Sequence, residues 1–326
     1  MTPKILIWLL ATVLLTAVFA EAQQPEKVPR IGFLVASKSS VNSARIAAFQ
    51  NGLRELGYVE GKTIFIDYRY AEGKLDRLPK LAAELVGRNV DVIVTAGPAD
   101  TRAAKKATST IPIVMSFDND PVGNRFVASL ARPGGNITGL STLAPELSGK
   151  QLELLKDIVP KLSRVAVFGN STNPGNALAL REIELAAETL KVKLENLDVL
   201  DPKGIEAAFR TANKGREEAV LVLGSPVINS QRTLVADLAI KNRLPTIYYS
   251  AEMVEAGGLL AYGVNRNDLT RRAAVYVDKI LKGAKPAELP VEQPTKFDLI
   301  INLKAAKQIG LTIPPNVLAR ADRVIR

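Results

Sequence analysis

The sequence predicts an α/β protein built as two similar, doubly wound parallel-sheet lobes. Short apolar runs alternate with amphipathic helical stretches, the rhythm of a parallel sheet with helices on both faces. The rhythm restarts half-way along the chain. Three strand-and-turn segments then recur in the same order: RIGFLVAS (30–37) as RVAVFGNS (164–171), VDVIVTAGP (90–98) as EAVLVLGSP (218–226), and IPIVMSF (111–117) as LPTIYYS (244–250). Their offsets are 134, 128 and 133 residues, so one design is used twice.

Taken in order, RIGFLV (30–35) is a buried strand, followed by small polar residues and a helix. In that helix Ile46, Phe49, Leu53 and Leu56 recur at helical spacing, and Gly57 stops it. TIFIDYRY (63–70) alternates as a second strand. LDRLPKLAAELVGRNV reads as a helix, DVIVTAGP (91–98) as a strand ending in a tight turn, ADTRAAKKATS as a helix, and IPIVMSF as a fourth strand. DPVGNRFVASLA (120–131) is expected as a short helix, with Asp120 as its cap and Pro121 at its first position. NITGLS (136–141) is a fifth strand. The glycine pair in ARPGGNITG (131–139) precedes a strand and lacks the G-x-G-x-x-G spacing. It is read as a turn and not as a phosphate cradle. GGLLAYGV (257–264) has the same form at the far end of the second lobe, so the two pair as hinge crossovers.

Residues 1–22 read as a cleaved export signal. Lys4 precedes an apolar run from Ile5 to Ala20, and Ala20-Glu21-Ala22 is an A-x-A cleavage site. The run is shorter than the roughly 20 residues of a membrane span. No cysteine follows to carry a lipid, and none occurs anywhere in the chain. Disulfides and thiol metal sites are therefore absent from the expectation. Histidine is absent too, which removes His-based triads, His-ligated zinc and the usual neutral-pH general base. No catalytic residue, metal site or cofactor is expected. The net charge of +10 is scattered over helices with no basic run and no helix-turn-helix, so nucleic acid is not an expected partner. The sequons at Asn136 and Asn170 are read as chance matches.

DPVGNRFVASLARPGGNITGLS, FQNGLRELGYVEGK, DVIVTAGPADTRAAKKATSTIPIV and FDLIINLKAAKQIGLTIPP closely resemble ABC-transporter substrate-binding proteins of the tryptophan/tyrosine type. The resemblance runs from about Val28 to Ile325. It implies a type I periplasmic-binding-protein fold, two lobes joined by three crossovers and closing over a small ligand. It also implies a periplasmic location, and an inner-membrane ABC permease with its ATPase as partners. Aromatic amino acids are the ligands of known members. The lobes are expected at 23–140 with 266–326 (lobe I) and at 141–265 (lobe II), in a monomer. An exported carboxylate-based enzyme and a ligand-presenting sensory module are alternatives on the same fold.

In open parallel sheets, ligands bind beyond the carboxyl ends of the strands. That rule selects Ser37, Ser40, Thr95, Gly97, Phe117, Asp118, Asn170, Asn173, Ser225 and Tyr249 as candidate ligand-binding residues. Hydroxyls and amides suit a polar or carboxylate ligand, Asp118 an ammonium group, and Phe117 and Tyr249 an apolar wall. Ser37, Ser40, Thr95, Asn170 and Asn173 have a competing use as caps and turn formers. For Phe117 the competing use is the core. Amino-terminal sequencing of the exported protein is expected to begin at Gln23; an intact Met1 in the membrane fraction would contradict this.

Overall fold

The computed structural model describes residues 27–326 apart from 143 and 174, so the expected export signal lies outside the described residues. The first sheet holds β1 (Arg30–Val35), β2 (Phe65–Tyr70), β3 (Val92–Thr95), β4 (Ile113–Asp118) and β5 (Ile137–Ser141). They lie in the order β2-β1-β3-β4-β5, all parallel. The second sheet holds β6 (Arg164–Gly169), β7 (Lys193–Asp198), β8 (Ala219–Val222), β9 (Thr246–Tyr248), β10 (Leu260–Gly263), β11 (Asp298–Asn302) and β12 (Arg323–Ile325). Its order is β12-β11-β10-β9-β8-β6-β7. The run β7-β6-β8-β9-β10 repeats the first sheet strand for strand, so the recurrence seen in the sequence is a repeat of topology.

Helices cover both faces of each sheet, which is why the central strands are continuous apolar runs. On one face of the first sheet, α1 (Ser43–Glu55) and α10 (Arg266–Leu281) pack Phe49, Leu53, Ala273 and Val277 against Phe33, Val94 and Val114. On the other, α2 (Leu78–Gly87) and α3 (Pro98–Ala107) meet Leu34, Ile93, Ile113 and Met115. Phe33 and Leu34 thus serve opposite cores, as strand alternation requires. Burying a side chain of this size stabilises by about 1.5–3 kcal/mol. In the second lobe, α4 (Ala144–Ile158), α5 (Asn176–Leu190), α11 (Leu303–Ile309) and α12 (Pro315–Leu318) cover one face. The helices α6 (Pro202–Lys214), α7 (Pro226–Ser230), α8 (Arg232–Lys241) and α9 (Ala251–Glu255) cover the other. No helix among the described residues is long and apolar enough to cross a membrane.

The chain passes between the lobes three times. It leaves the first lobe after β5, returns after β10 into α10, and leaves again after Glu292. That residue still bonds to the first lobe: its N–H donates to Gly139 O at 2.9 Å and its carbonyl accepts from Ser141 N at 2.8 Å. Two expectations are corrected here. Residues 266–326 do not all return to lobe I. Helix α10 and the stretch to Glu292 do, but β11 pairs antiparallel with β10 and β12 pairs with β11, so the C-terminal segment completes the second sheet. Residues 120–131 do not form a helix. Asp120 Oδ1 accepts from Gly123 N at 2.8 Å as a cap would, but Arg125 adopts φ +58° and ends the structure after one turn.

The ARPGGNITG loop serves chain geometry. Gly134 takes φ +76°, and Pro133 O accepts from Ala128 N at 2.9 Å. Gly139 has φ +136°, and a Cβ there would stand 2.2 Å from Met115 O. Only glycine permits this approach of β5 to β4, next to the register shift between Met115 and Asp118. That shift marks the end of β4 from which Phe117 reaches the cleft.

Candidate ligand site between the lobes

The carboxyl ends of β1, β3 and β4 face those of β6, β8 and β9, and a cavity of about 40 Å³ lies between them. Lobe I supplies Ser37, Arg45, Gly97, Asp100, Phe117 and Asn119; lobe II supplies Asn173, Ser225, Asn229 and Tyr249. Arg266, the first residue of α10, completes the lining. A second cavity of about 30 Å³ shares Asn119, Gly224, Tyr249 and Arg266 with the first.

Arg266 is placed by the second crossover. Asn265 caps α10, its side chain accepting from Asp268 N at 3.1 Å, so the helix begins at the cleft. The guanidinium carbon lies 4.6 Å from the Phe117 ring centroid and 4.5 Å from that of Tyr249. One ring comes from each lobe. Arg266 is only 9% exposed. Among the described residues no carboxylate is within ion-pair distance of it, and its Nε has no hydrogen-bond partner. Burial first, and then the charge of Arg45, lower its pKa. A buried guanidinium without an acid is costly and calls for an anion.

Arg45, on α1, is paired. Its Nη2 and Nε donate to Glu252 Oε1 on α9 at 2.9 and 3.2 Å, across the cleft. Side-chain exposures of 6% and 13% make this a desolvated pair. Burial alone would raise the Glu252 pKa, but Arg45 and then Arg266 outweigh it and hold the carboxyl at about 2. Two further bonds join the lobes here: Asn229 Nδ2 donates to Ser37 Oγ at 3.3 Å, and Lys38 N to Ser230 Oγ at 3.2 Å.

The lining also carries unmatched acceptors. Among the described residues, Asp100 Oδ1, Asn173 Oδ1 and Asn229 Oδ1 are buried without hydrogen-bond partners. Asp100 sits in the first turn of α3, and its Oδ2 accepts from Ala96 N at 3.1 Å. Burial raises its pKa well above the usual carboxylate value, against the pull of its backbone hydrogen bonds.

Of the residues expected from the sequence, Ser37, Gly97, Phe117, Asn173, Ser225 and Tyr249 line this cavity. The other four lie outside its lining. Ser40 is exposed in a short 3-10 turn. Thr95 is buried at the end of β3, its hydroxyl 2.8 Å from that of Thr101. Asn170 shapes its own loop, donating to Val199 O at 2.9 Å and accepting from Thr172 N at 2.9 Å. Asp118 Oδ1 accepts from Asn124 Nδ2 at 2.9 Å and Asp120 N at 3.0 Å, so it organises the turn after β4. Asp100 is the carboxyl that faces the cavity in its stead. Sequence reasoning missed Arg45, Asp100, Asn119, Asn229 and Arg266. A cation at the first position of a helix runs against the helix dipole, and that misplacement is a readable sign of another use for Arg266.

Burial raises the Asp118 pKa to about 7, with the Asn124 hydrogen bond opposing. The folded protein therefore holds a proton that the unfolded chain releases near pH 4. This contribution is fully present below about pH 4 and is lost as pH rises through about 7. The chain has no histidine to titrate in that window, but the buried Asp100 carboxyl, also raised, adds a loss of the same sign. Stability from urea denaturation is expected to fall by up to about 1.4 kcal/mol per pH unit between pH 5 and 7 on account of Asp118. Asp118→Asn should reduce the slope without abolishing it; an unchanged slope would contradict this.

Comparison with known proteins is consistent with the two-lobe site. Residues 34–325 match the family model of the ABC transporter substrate binding proteins. A tyrosine-binding protein of Clostridioides difficile is 27% identical over 268 residues, covering 81% of this chain and 75% of that protein. A crystal structure of an ABC domain in complex with L-Trp from Streptococcus pneumonia superposes with a TM-score of 0.85 at 28% identity, covering 91% of this chain and 99% of that one. A conserved domain protein of Vibrio cholerae gives the same TM-score, 0.85, at 31% identity over 91% of this chain and 100% of its own. With nearly its whole described length matched, this chain belongs to the ABC transporter substrate-binding protein family.

Proposed function

We propose that this protein is the periplasmic receptor of an ABC importer. It captures an amino acid or similar small carboxylate between its lobes and delivers it, as a monomer, to an inner-membrane permease and its ATPase. The observation that carries the reading is Arg266: a buried guanidinium in an interlobe cavity that, among the described residues, has no carboxylate within ion-pair distance. A ligand carboxylate supplies that missing anion in the geometry guanidinium groups favour. Asp100, lining the same cavity with one free acceptor, is positioned for an ammonium or hydroxyl group. The relatives named for tyrosine and crystallised with L-Trp support the amino-acid class.

Closure is by hinge motion at the three crossings. The closed form is held by Arg45–Glu252 and by the stacking of Arg266 on one ring from each lobe. Capture leaves the ligand chemically unchanged. The two serine hydroxyls of the cavity accept hydrogen bonds from amide N–H groups: Ser37 Oγ from Asn42 Nδ2 at 2.8 Å, and Ser225 Oγ from Ile228 N at 3.1 Å. Neither faces a general base.

Thermal-shift screening with amino acids and small carboxylates tests the reading. A bound ligand at about 100 times its Kd stabilises the fold by about 2.7 kcal/mol and should be recovered intact. Glu252→Gln leaves Arg45 without its anion and should weaken binding by at least about 2 kcal/mol. Binding of neutral sugars alone, or conversion of the ligand, would overturn the proposal.

A further inference from the structure

Two arginines and one carboxylate meet where the lobes close. Arg45 and Arg266 stand on lobe I helices, α1 and α10, and Glu252 on α9 of lobe II. All three are largely out of water. Glu252 accepts both of its bonds from Arg45, so one guanidinium is left over. Parting the lobes takes Arg45 away from Glu252, and the carboxylate is then the group left over.

We infer that Glu252 is shared between the two arginines: Arg45 holds it when the lobes are closed, and Arg266 takes it when they part. Closure thereby frees the Arg266 guanidinium for the acid group of a ligand. That last step rests on the proposed receptor function; the exchange itself needs no ligand. Three observations carry it. The first is position. Arg266 lies just beyond β10 on the second crossover, and Glu252 lies on α9, which packs against β10. Both are near the axis on which the lobes turn, where displacement is least. Arg45 is in the first turn of α1, which follows β1. In the sheet order β2-β1-β3-β4-β5, β1 stands three strand spacings, about 14 Å, from β5, where the chain first crosses. Opening therefore lengthens Arg45–Glu252 far more than Arg266–Glu252.

The second is room. Arg266 also lines a cavity of about 320 Å³ on the hinge side, together with Glu252 and Glu255 of α9, Asp298 of β11 and Asp322. Three of these carboxylates are engaged from within lobe II. Glu255 pairs with Arg323 at 2.7 Å, Asp298 with Lys296 at 3.4 Å, and Asp322 accepts from Leu299 N at 2.9 Å. Glu252 is held from the other lobe, so opening releases it. Arg266 faces both cavities, and its guanidinium can turn from the ring stack to Glu252 while the start of α10 stays capped by Asn265.

The third is charge. Burial raises the Glu252 pKa, and Arg45 and then Arg266 more than offset it, so both cations already act on the one acid. Burial, and next the charge of Arg45, disfavour the Arg266 cation. A closed, empty cleft thus holds an excess positive charge out of water, which is costly. The open form pairs Arg266 with Glu252 and leaves Arg45 to solvent.

The lobe separation is directly measurable, because the chain has no cysteine. Spin labels at Lys80→Cys on α2 and Asp237→Cys on α8, both exposed, report it by double electron–electron resonance. The protein is unfolded, dialysed free of ligand and refolded first. Arg45→Gln should lower the closed-to-open ratio at least about tenfold, and Arg266→Gln should raise it at least about tenfold. Arg266→Lys keeps the charge and should stay within about threefold of wild type. A residue that only stacked between the lobes would open the cleft when lost, so an unchanged or lower ratio in Arg266→Gln overturns the inference. Should that variant fail to fold, a crystal structure of empty Arg45→Gln decides. An Arg266 nitrogen within about 4 Å of the Glu252 carboxylate supports the exchange, and Arg266 still between Phe117 and Tyr249 overturns it. Every reading is taken without ligand, so its failure leaves the receptor reading intact, and a protein that binds no carboxylate leaves the exchange intact.

Discussion

A desolvated guanidinium between two rings sets the terms for the rest of this structure. Each cation–π contact of Arg266 contributes about 0.5–2 kcal/mol. Burying an unpaired charge costs several kcal/mol even after relaxation. The rings therefore do not settle the balance, and the site is left short of one negative charge. On the proposed function, that deficit favours a ligand acid over a neutral polyol and makes the interlobe space the expected binding site.

In the proposed function the same residue would couple binding to domain motion. Arg266 opens the helix that fastens the second crossover onto lobe I, while Tyr249, stacked on it, belongs to lobe II. Opening the cleft would part Tyr249 from the stack and would break Arg45–Glu252. A desolvated pair of that kind contributes little net stability over well-packed apolar residues, yet costs about 3–5 kcal/mol when one partner is removed. It is thus suited to defining one closed arrangement. The apparent affinity for a ligand then depends on how much of the population is closed before binding.

Much of the fold was legible because its signals are local. The strand runs of β1, β3 and β4 and their recurrence as β6, β8 and β9 follow from apolar periodicity, and the strand order repeats with them. The destination of residues 298–325 was not legible. Whether a final βαβ segment extends one sheet or the other depends on which edge is open, and that is decided by the antiparallel pairing of β11 with β10. The aborted helix after Asp120 has a proper cap and proline, and is stopped by a left-handed Arg125 that nothing nearby in sequence announces. At the site, the strand-end rule found the wall residues Ser37, Gly97, Phe117, Asn173, Ser225 and Tyr249. It chose Asp118 and passed over Asp100 because it reads strand ends, whereas Asp100 sits in the first turn of the helix that follows β3. Arg45 and Asn229 escaped for a related reason: both lie inside helices, and only the meeting of two lobes gives them a common cavity.

A crystal structure of the exported protein with a bound carboxylate ligand tests the central claim most directly. The account predicts the ligand carboxylate about 2.7–2.9 Å from the Arg266 nitrogens, with the guanidinium still between Phe117 and Tyr249. A ligand acid held away from Arg266, with the guanidinium still lacking an anion, would contradict it.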